Sequence, residues 1–381
     1  MFDETRIPRG LYKERLKKVK EHMREKRLDA LIIAGQAHCC ENLTYVTGLL
    51  LGLWRGPGGA GYCLITADQE PVLLNVCASR EIPFYKALTW VSDIRVSPGG
   101  VLAVANIIKG QPSVKKVGLV GISPLVNSGD YVLLKKELGH IEFTDETLFF
   151  ENMRKTKDER EFDAIRLACK AIDVECETLS RTIEAGVVIR KAEAEADRIA
   201  RLEGARDVRM LWATQEMGAL TLSSERICKA GDIIACYFAT EVLGYWAEAG
   251  RVFTIGKPSD EYMRMYSAGL KALAAGENAI RAGSLAPSVY KRMIDELKSS
   301  GYEENFVAEY GFGHGIGLSI AEKPSIEENA NVTFEENMAI SIRVPIQKRG
   351  VGFVLIGETV KVLKDGVEKL SKYPTEITML E

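Results

Sequence analysis

The chain has 381 residues, 46% of them apolar and 27% charged, with a formal net charge of −3 and a pI near 6.0. That length is too great for one ordinary hydrophobic core and points to two domains. The small net charge gives no global bias toward nucleic acid or an anionic membrane.

The N-terminal stretch "MFDETRIPRGLYKERLKKVK" is charged throughout and lacks the apolar core of a secretory signal. No apolar run approaches the roughly 20 residues of a membrane span. Eight cysteines occur without a C-x-x-C pair, and they read as free thiols of a cytoplasmic protein. Residues 11–28 place Leu11, Leu16, Val19 and Met23 on one helical stripe. "DALIIAG" (29–35) is a strand covered on both faces, and "GYCLIT" and "PVLLNV" flank a turn as a hairpin. "DIRVSP", "KKVGLVG" and "IEFTDET" are further strands, with helices around 100–109 and 123–138. This alternation predicts an α/β domain over residues 1–150.

The pattern then changes. "NMRKTKDEREFDAIRLACKAID" opens a long amphipathic helix, with Thr156 and Glu159 spaced as a capping box. A second helix follows at about 189–203. The strands "VRMLWAT", "IIACYFATEV", "YWAEAGRVFTIG", "MAISIRVPI" and "GFVLIGETVKV" come next, with helices near 259–275 and 286–300 among them. Helices grouped against long antiparallel strands predict an α+β domain over 151–381.

Several of these segments, in this order, resemble the creatinase, prolidase and aminopeptidase P family. "LDALII" with "NLTYVTG" resembles its N-terminal domain, and "MRKTKDEREFDAIRLACKAID" its interdomain helix. "KAGDIIACYFATEVLGYWAEAGRVFTIG", "GHGIGL" and "ENMAISIRVPI…GETVKVLKDG" resemble its pita-bread catalytic domain. The resemblance covers nearly the whole chain.

It implies a site for two divalent cations held by two aspartates, one histidine and two glutamates, because hard oxygen donors bridge such ions and activate a water. Carried over residue by residue, those positions hold Tyr237, Glu248, His314, Arg343 and Gly357. A four-carboxylate cluster requires the cations to cancel its charge, whereas Glu248 and Arg343 cancel each other. The expectation is an Arg343–Glu248 ion pair in place of the metals and no cofactor. Metal-free creatinase-like relatives use a histidine from the loop before the "GD" strand, and that position is Leu222.

His314, Glu248 and Glu322 are therefore the candidate catalytic residues. Arg343, Arg251, Tyr237 and Glu358 are the candidates for substrate contact. Strand alternation turns Glu358 away from Gly357 unless a bulge intervenes. His314 serves equally well as a structural residue packed among glycines. His22 reads as a solvated helix residue, His140 as a turn, and His38 as part of a loop or core. Trp54 and Arg55 of "WRGPGGAGY" are weak candidates for contact across a dimer, since the resemblance implies a homodimer.

Three functions stay open. The first is a metal-independent hydrolase of a C–N bond in a small amino-acid-like compound. The second is a non-catalytic protein binding a small molecule, a short peptide or a partner. The third is a metal-dependent Xaa-Pro dipeptidase or aminopeptidase whose ligands lie at other positions.

Overall fold

The computed structural model describes residues 8–36, 39–50, 60–74, 79–96, 100–121, 128–216 and 218–381. The chain divides into two compact units, Met1–Arg154 and Lys155–Glu381. The division falls four residues beyond the boundary expected from sequence.

The first unit runs α1 (Arg9–Lys26), β1 (Ala30–Gln36), α2 (Glu41–Thr47), β2 (Ala60–Thr66), β3 (Val72–Leu74), α3 (Ile82–Leu88) and β4 (Asp93–Arg95). It continues through α4 (Val101–Lys109), β5 (Lys116–Val120), α5 (Ser128–Glu137), β6 (Glu142–Asp145) and α6 (Thr147–Lys155). Its six strands form one mixed sheet in the order β4-β3-β2-β1-β5-β6. The central strand β1 is apolar almost throughout because both its faces are covered, and Leu31, Ile32 and Ile33 are fully buried. The hairpin expected from "GYCLIT" and "PVLLNV" is β2–β3, with Cys63 opposite Leu73.

His22 is not a surface residue. It is buried, stacks on Phe149 and lies 2.7 Å from Glu146. That partner is 124 positions away, so the charged helix around His22 gives no local sign of it. His140 lies in an exposed turn. His38, Trp54 and Arg55 fall outside the described residues. The cysteines among the described residues are free thiols.

The second unit runs α7 (Glu159–Thr182), α8 (Ile189–Leu202), β7 (Ala205–Thr214), β8 (Ile233–Val242), β9 (Tyr245–Ile255), α9 (Asp260–Ala279) and α10 (Ala286–Ser299). The remaining strands are β10 (Gly313–Gly315), β11 (Glu322–Ser325), β12 (Ala339–Lys348), β13 (Gly352–Leu363), β14 (Gly366–Lys369) and β15 (Thr378–Leu380). The start of α7 corrects the expected cap. Asp158, not Thr156, is the N-cap and forms a capping box with Glu161, while Thr156 is drawn into a bridge with Met338.

The long strands build a sheet in the order β11-β10-β12-β13-β9-β8-β7. Its two halves meet at a single ladder pair, Gly357 opposite Gly250. A Cβ on Gly250 would lie 2.8 Å from the Leu355 side chain and 3.1 Å from the Gly357 nitrogen, so only glycine permits so close an approach. Next to this pair the Thr359 hydroxyl donates to the Glu248 carbonyl and accepts from the Glu248 amide, replacing ladder bonds that the diverging strands no longer make. One face of the sheet is covered by α7 and by α9 with α10, which bury Ile340, Ile342, Val344, Ile356 and Val360.

Candidate active site

The opposite face carries the candidate residues, and the register fixes which ones. Tyr237 stands opposite Gly250, and Arg343 opposite Gly357, so these four positions lie in one row. Glu248 precedes Gly250 by two residues and shares its face. His314 pairs with Ser341, two residues before Arg343, and joins the same face.

Arg343 reaches from β12 over Gly357 to β9, where its Nη1 donates to Glu248 Oε2 at 3.0 Å. The glycine opens that path, since a Cβ there would sit 2.9 Å from the Arg343 Cβ. The Nε and Nη2 groups of Arg343 donate to the Tyr310 carbonyl at 3.0 and 2.8 Å, which locks the guanidinium plane. Tyr237 donates its hydroxyl to the other Glu248 oxygen. Burial, reinforced by the Glu248 charge and hydrogen bond, pushes the Tyr237 hydroxyl well above its usual range, so it stays protonated as a donor. The Glu248 side chain is only 2% exposed, whereas those of His314 and Arg343 are 14% and 15% exposed.

The His314 ring sits with Nδ1 3.0 Å from the Gly315 carbonyl. A carbonyl only accepts, so Nδ1 carries the hydrogen and a neutral ring keeps its lone pair on Nε2. That atom lies 3.7 Å from Glu248 Oε2. It is too far for a hydrogen bond with the carboxylate but close enough for the carboxylate to stabilise an imidazolium.

Three expected partners lie elsewhere. Arg251 and Glu358 face the helix-covered side. Arg251 is 1% exposed and donates to the carbonyls of Gly250, Gly357 and Tyr373, with Glu358 at 3.4 Å. Glu358 stands opposite Ile342, a core residue, and the β12–β13 register has no shift that would turn it over. Burial pushes the Glu358 carboxyl up, and the neighbouring guanidinium offsets part of that shift. Neither side chain meets solvent, and substrate contact by them is therefore corrected to a structural role. Glu322 pairs instead with Lys157 at 2.9 Å in a nearly fully buried ion pair, and its other oxygen accepts from the Ser319 amide at 3.2 Å. It holds the loop after His314 rather than touching the imidazole. Leu222, at the creatinase-like histidine position, is strongly exposed.

Sequence reasoning overlooked three members of this face: the Tyr310 carbonyl, the Thr359 hydroxyl, and Arg209, whose guanidinium lies over the Trp246 ring at 4.7 Å. Arg209 stands opposite Ala239, which also pairs with Glu248. Alternation within β7 gives a parity but not the strand order that puts this residue in the same row as Glu248, two strands away. Among the described residues, no group of three or more His, Cys, Asp and Glu side chains is placed to hold a metal ion.

Family profiles match both units. The Creatinase/Prolidase N-terminal domain matches residues 15–156, and Metallopeptidase family M24 matches residues 163–364. The chain is 24% identical over 376 residues to the Xaa-Pro dipeptidase of Pyrococcus horikoshii, covering 96% of this chain and 98% of that one. Solved structures share its fold, among them a prolidase and an X-Pro aminopeptidase. The prolidase from Pyrococcus horikoshii OT3 does so with TM-score 0.83 at 23% identity over 95% of this chain and 99% of that one. The X-Pro aminopeptidase from Thermotoga maritima MSB8 does so with TM-score 0.84 at 23% identity over 96% and 99%. The fold is that of the two-domain pita-bread proteins, an α/β N-terminal domain followed by an α+β C-terminal one. This protein belongs to metallopeptidase family M24 and is prolidase-like along nearly its whole length. No helix among the described residues is long and apolar enough to cross a membrane.

Proposed function

We propose that this family member is a metal-independent hydrolase of a C–N bond in a small amino-acid-like compound. The observation that carries this reading is the Arg343–Glu248 ion pair at 3.0 Å, lying where the resemblance puts two cations. The donors gathered there are one carboxylate and one imidazole, beside a fixed positive charge. A pair of hard divalent ions requires more oxygen ligands and no adjacent guanidinium, so these residues do not fit it.

His314 then supplies the proton chemistry. Its Nε2 takes a proton from water as the oxygen attacks the carbonyl carbon, and returns that proton to the departing nitrogen as the C–N bond breaks. Glu248 steadies the imidazolium from 3.7 Å. Being buried and bonded to Tyr237 and Arg343, it acts as a positioning residue and not as a base. The outward N–H groups of Arg343 hold a substrate carboxylate. The prolyl peptides named for its relatives are the first substrates to try, followed by other amides and guanidino compounds.

The test combines elemental analysis of the purified protein with turnover of such a panel, with and without chelator. Chelator-insensitive turnover that is lost in His314→Ala supports the reading. Two tightly held ions per chain, with turnover lost to chelator, overturn it in favour of a metallopeptidase. A second reading, a non-catalytic binding protein, is favoured by the full commitment of both Glu248 oxygens; peptide binding with a flat panel would establish it. We also infer a homodimer, which light scattering at two concentrations tests.

A further inference from the structure

Arg209 is a charged residue on the site's face that the hydrolytic reading does not use. Its backbone is two strands from that of Glu248, roughly 10 Å at the usual strand spacing. The guanidinium carbon lies 4.7 Å from the centre of the Trp246 ring, a cation–π contact that favours this position. Only Nη2 is engaged, donating to Asp207 at 3.1 Å in a half-exposed pair; Nε and Nη1 have no hydrogen-bond partner among the described residues. The positive charge of Arg209 stands on the same face as the Tyr237 hydroxyl and opposes that group's upward shift. Trp246 is also tied to the segment after His314, its amide donating to the Gly317 carbonyl at 2.7 Å. The site's face therefore presents two guanidiniums on either side of the Tyr237–Glu248 pair, each with donors left over.

We propose that Arg209 is a specificity-determining residue which, opposite Arg343, selects substrates bearing two anionic groups, as in a derivative of a dicarboxylic amino acid. This rests on the reading of this face as a substrate site but does not require turnover. The test is calorimetric titration of the full-length protein with N-acetylglutamate and with N-acetylglutamine, which match in shape and differ by one charge. The wild type binds the glutamate compound tighter by about tenfold at low salt, the scale of one charge-assisted hydrogen bond. Arg209→Gln brings the two affinities within about twofold, and Arg209→Lys restores part of the gap. Asp207→Ala widens the gap, because it removes the carboxylate that competes for Nη2; a merely structural arginine would not move the preference in opposite directions. Thermal melting of each variant verifies folding. Equal affinities in the wild type, no binding of either compound, or a preference that survives Arg209→Gln overturns the proposal. Discriminating binding together with no turnover anywhere in the substrate panel would instead sink the hydrolase reading and leave this one standing.

Discussion

The large sheet carries an arginine–glutamate pair on each face, and the two pairs cross the same seam between β9 and β13. On the open face Arg343 reaches Glu248, with a partly exposed guanidinium braced on one carbonyl. On the covered face Arg251 reaches Glu358 with both side chains almost wholly buried, and most of its donors go to backbone carbonyls. The residue types are the same and their surroundings differ. A charge that keeps a solvent-facing edge can still take a ligand, whereas a charge surrounded by helices can only hold the fold.

Removing the covered arginine gives the largest expected effect. Arg251→Met strands a buried carboxylate and three carbonyls, and urea unfolding should show a loss of about 3–5 kcal/mol. If the loss matched that of Arg343→Met, the contrast between the faces would fail.

The covered face also holds Glu175, fully buried, with one oxygen accepting from Thr240 and the other without a hydrogen-bond partner. Burial pushes its carboxyl up to about 8. The folded value exceeds the unfolded one, so the stabilisation is complete below about pH 4.5 and declines as pH rises toward 8. Glu175→Gln should remove that decline. Relative to wild type, the variant should gain about 3 kcal/mol between pH 4.5 and 7, read from urea midpoints at each pH. Parallel pH profiles for the two proteins would mean that the carboxyl is ionised in place.

On the open face the effects are smaller. Gly357→Ala forces a Cβ to 2.9 Å from the Arg343 Cβ and 3.0 Å from the Ile342 carbonyl, which should cost about 1–3 kcal/mol and displace the guanidinium. Tyr237→Phe removes one hydrogen bond to the buried Glu248 carboxylate and should cost about 1.5 kcal/mol in urea unfolding. Arg343→Glu alone should yield no prolyl-dipeptide cleavage, because Tyr237 and Gly357 still supply no carboxylate; cleavage by that variant would refute the assignment of ligand positions.

Most elements were legible, since the helices follow an apolar spacing of about 3.6 and the strands buried on both faces stand out as short apolar runs between turns. Alternation also places Arg251 on the opposite face from Glu248, three positions away on one strand, and Glu358 opposite to Gly357, so naming Arg251 and Glu358 as substrate contacts ran against that rule. Two other errors arose where a distant partner decided the outcome. Lys157 claims Glu322 from 165 positions away, and Glu146 buries His22 from 124 away. Nothing near either residue announces its partner. The cap of α7 was misplaced for another reason: Asp158 with Glu161 satisfies the same spacing rule as Thr156 with Glu159, and only the bridge from Thr156 to Met338 separates them.

The lone glycine pair joining the halves of the sheet has a mechanical consequence. With one rung of backbone at that join, the side-chain stitches of Thr359, Arg251 and Arg343 bear the rest of its cohesion. A ligand that draws Arg343 off Glu248 unpicks one stitch, so gripping it tightly and keeping the platform stiff are opposing demands on a single side chain.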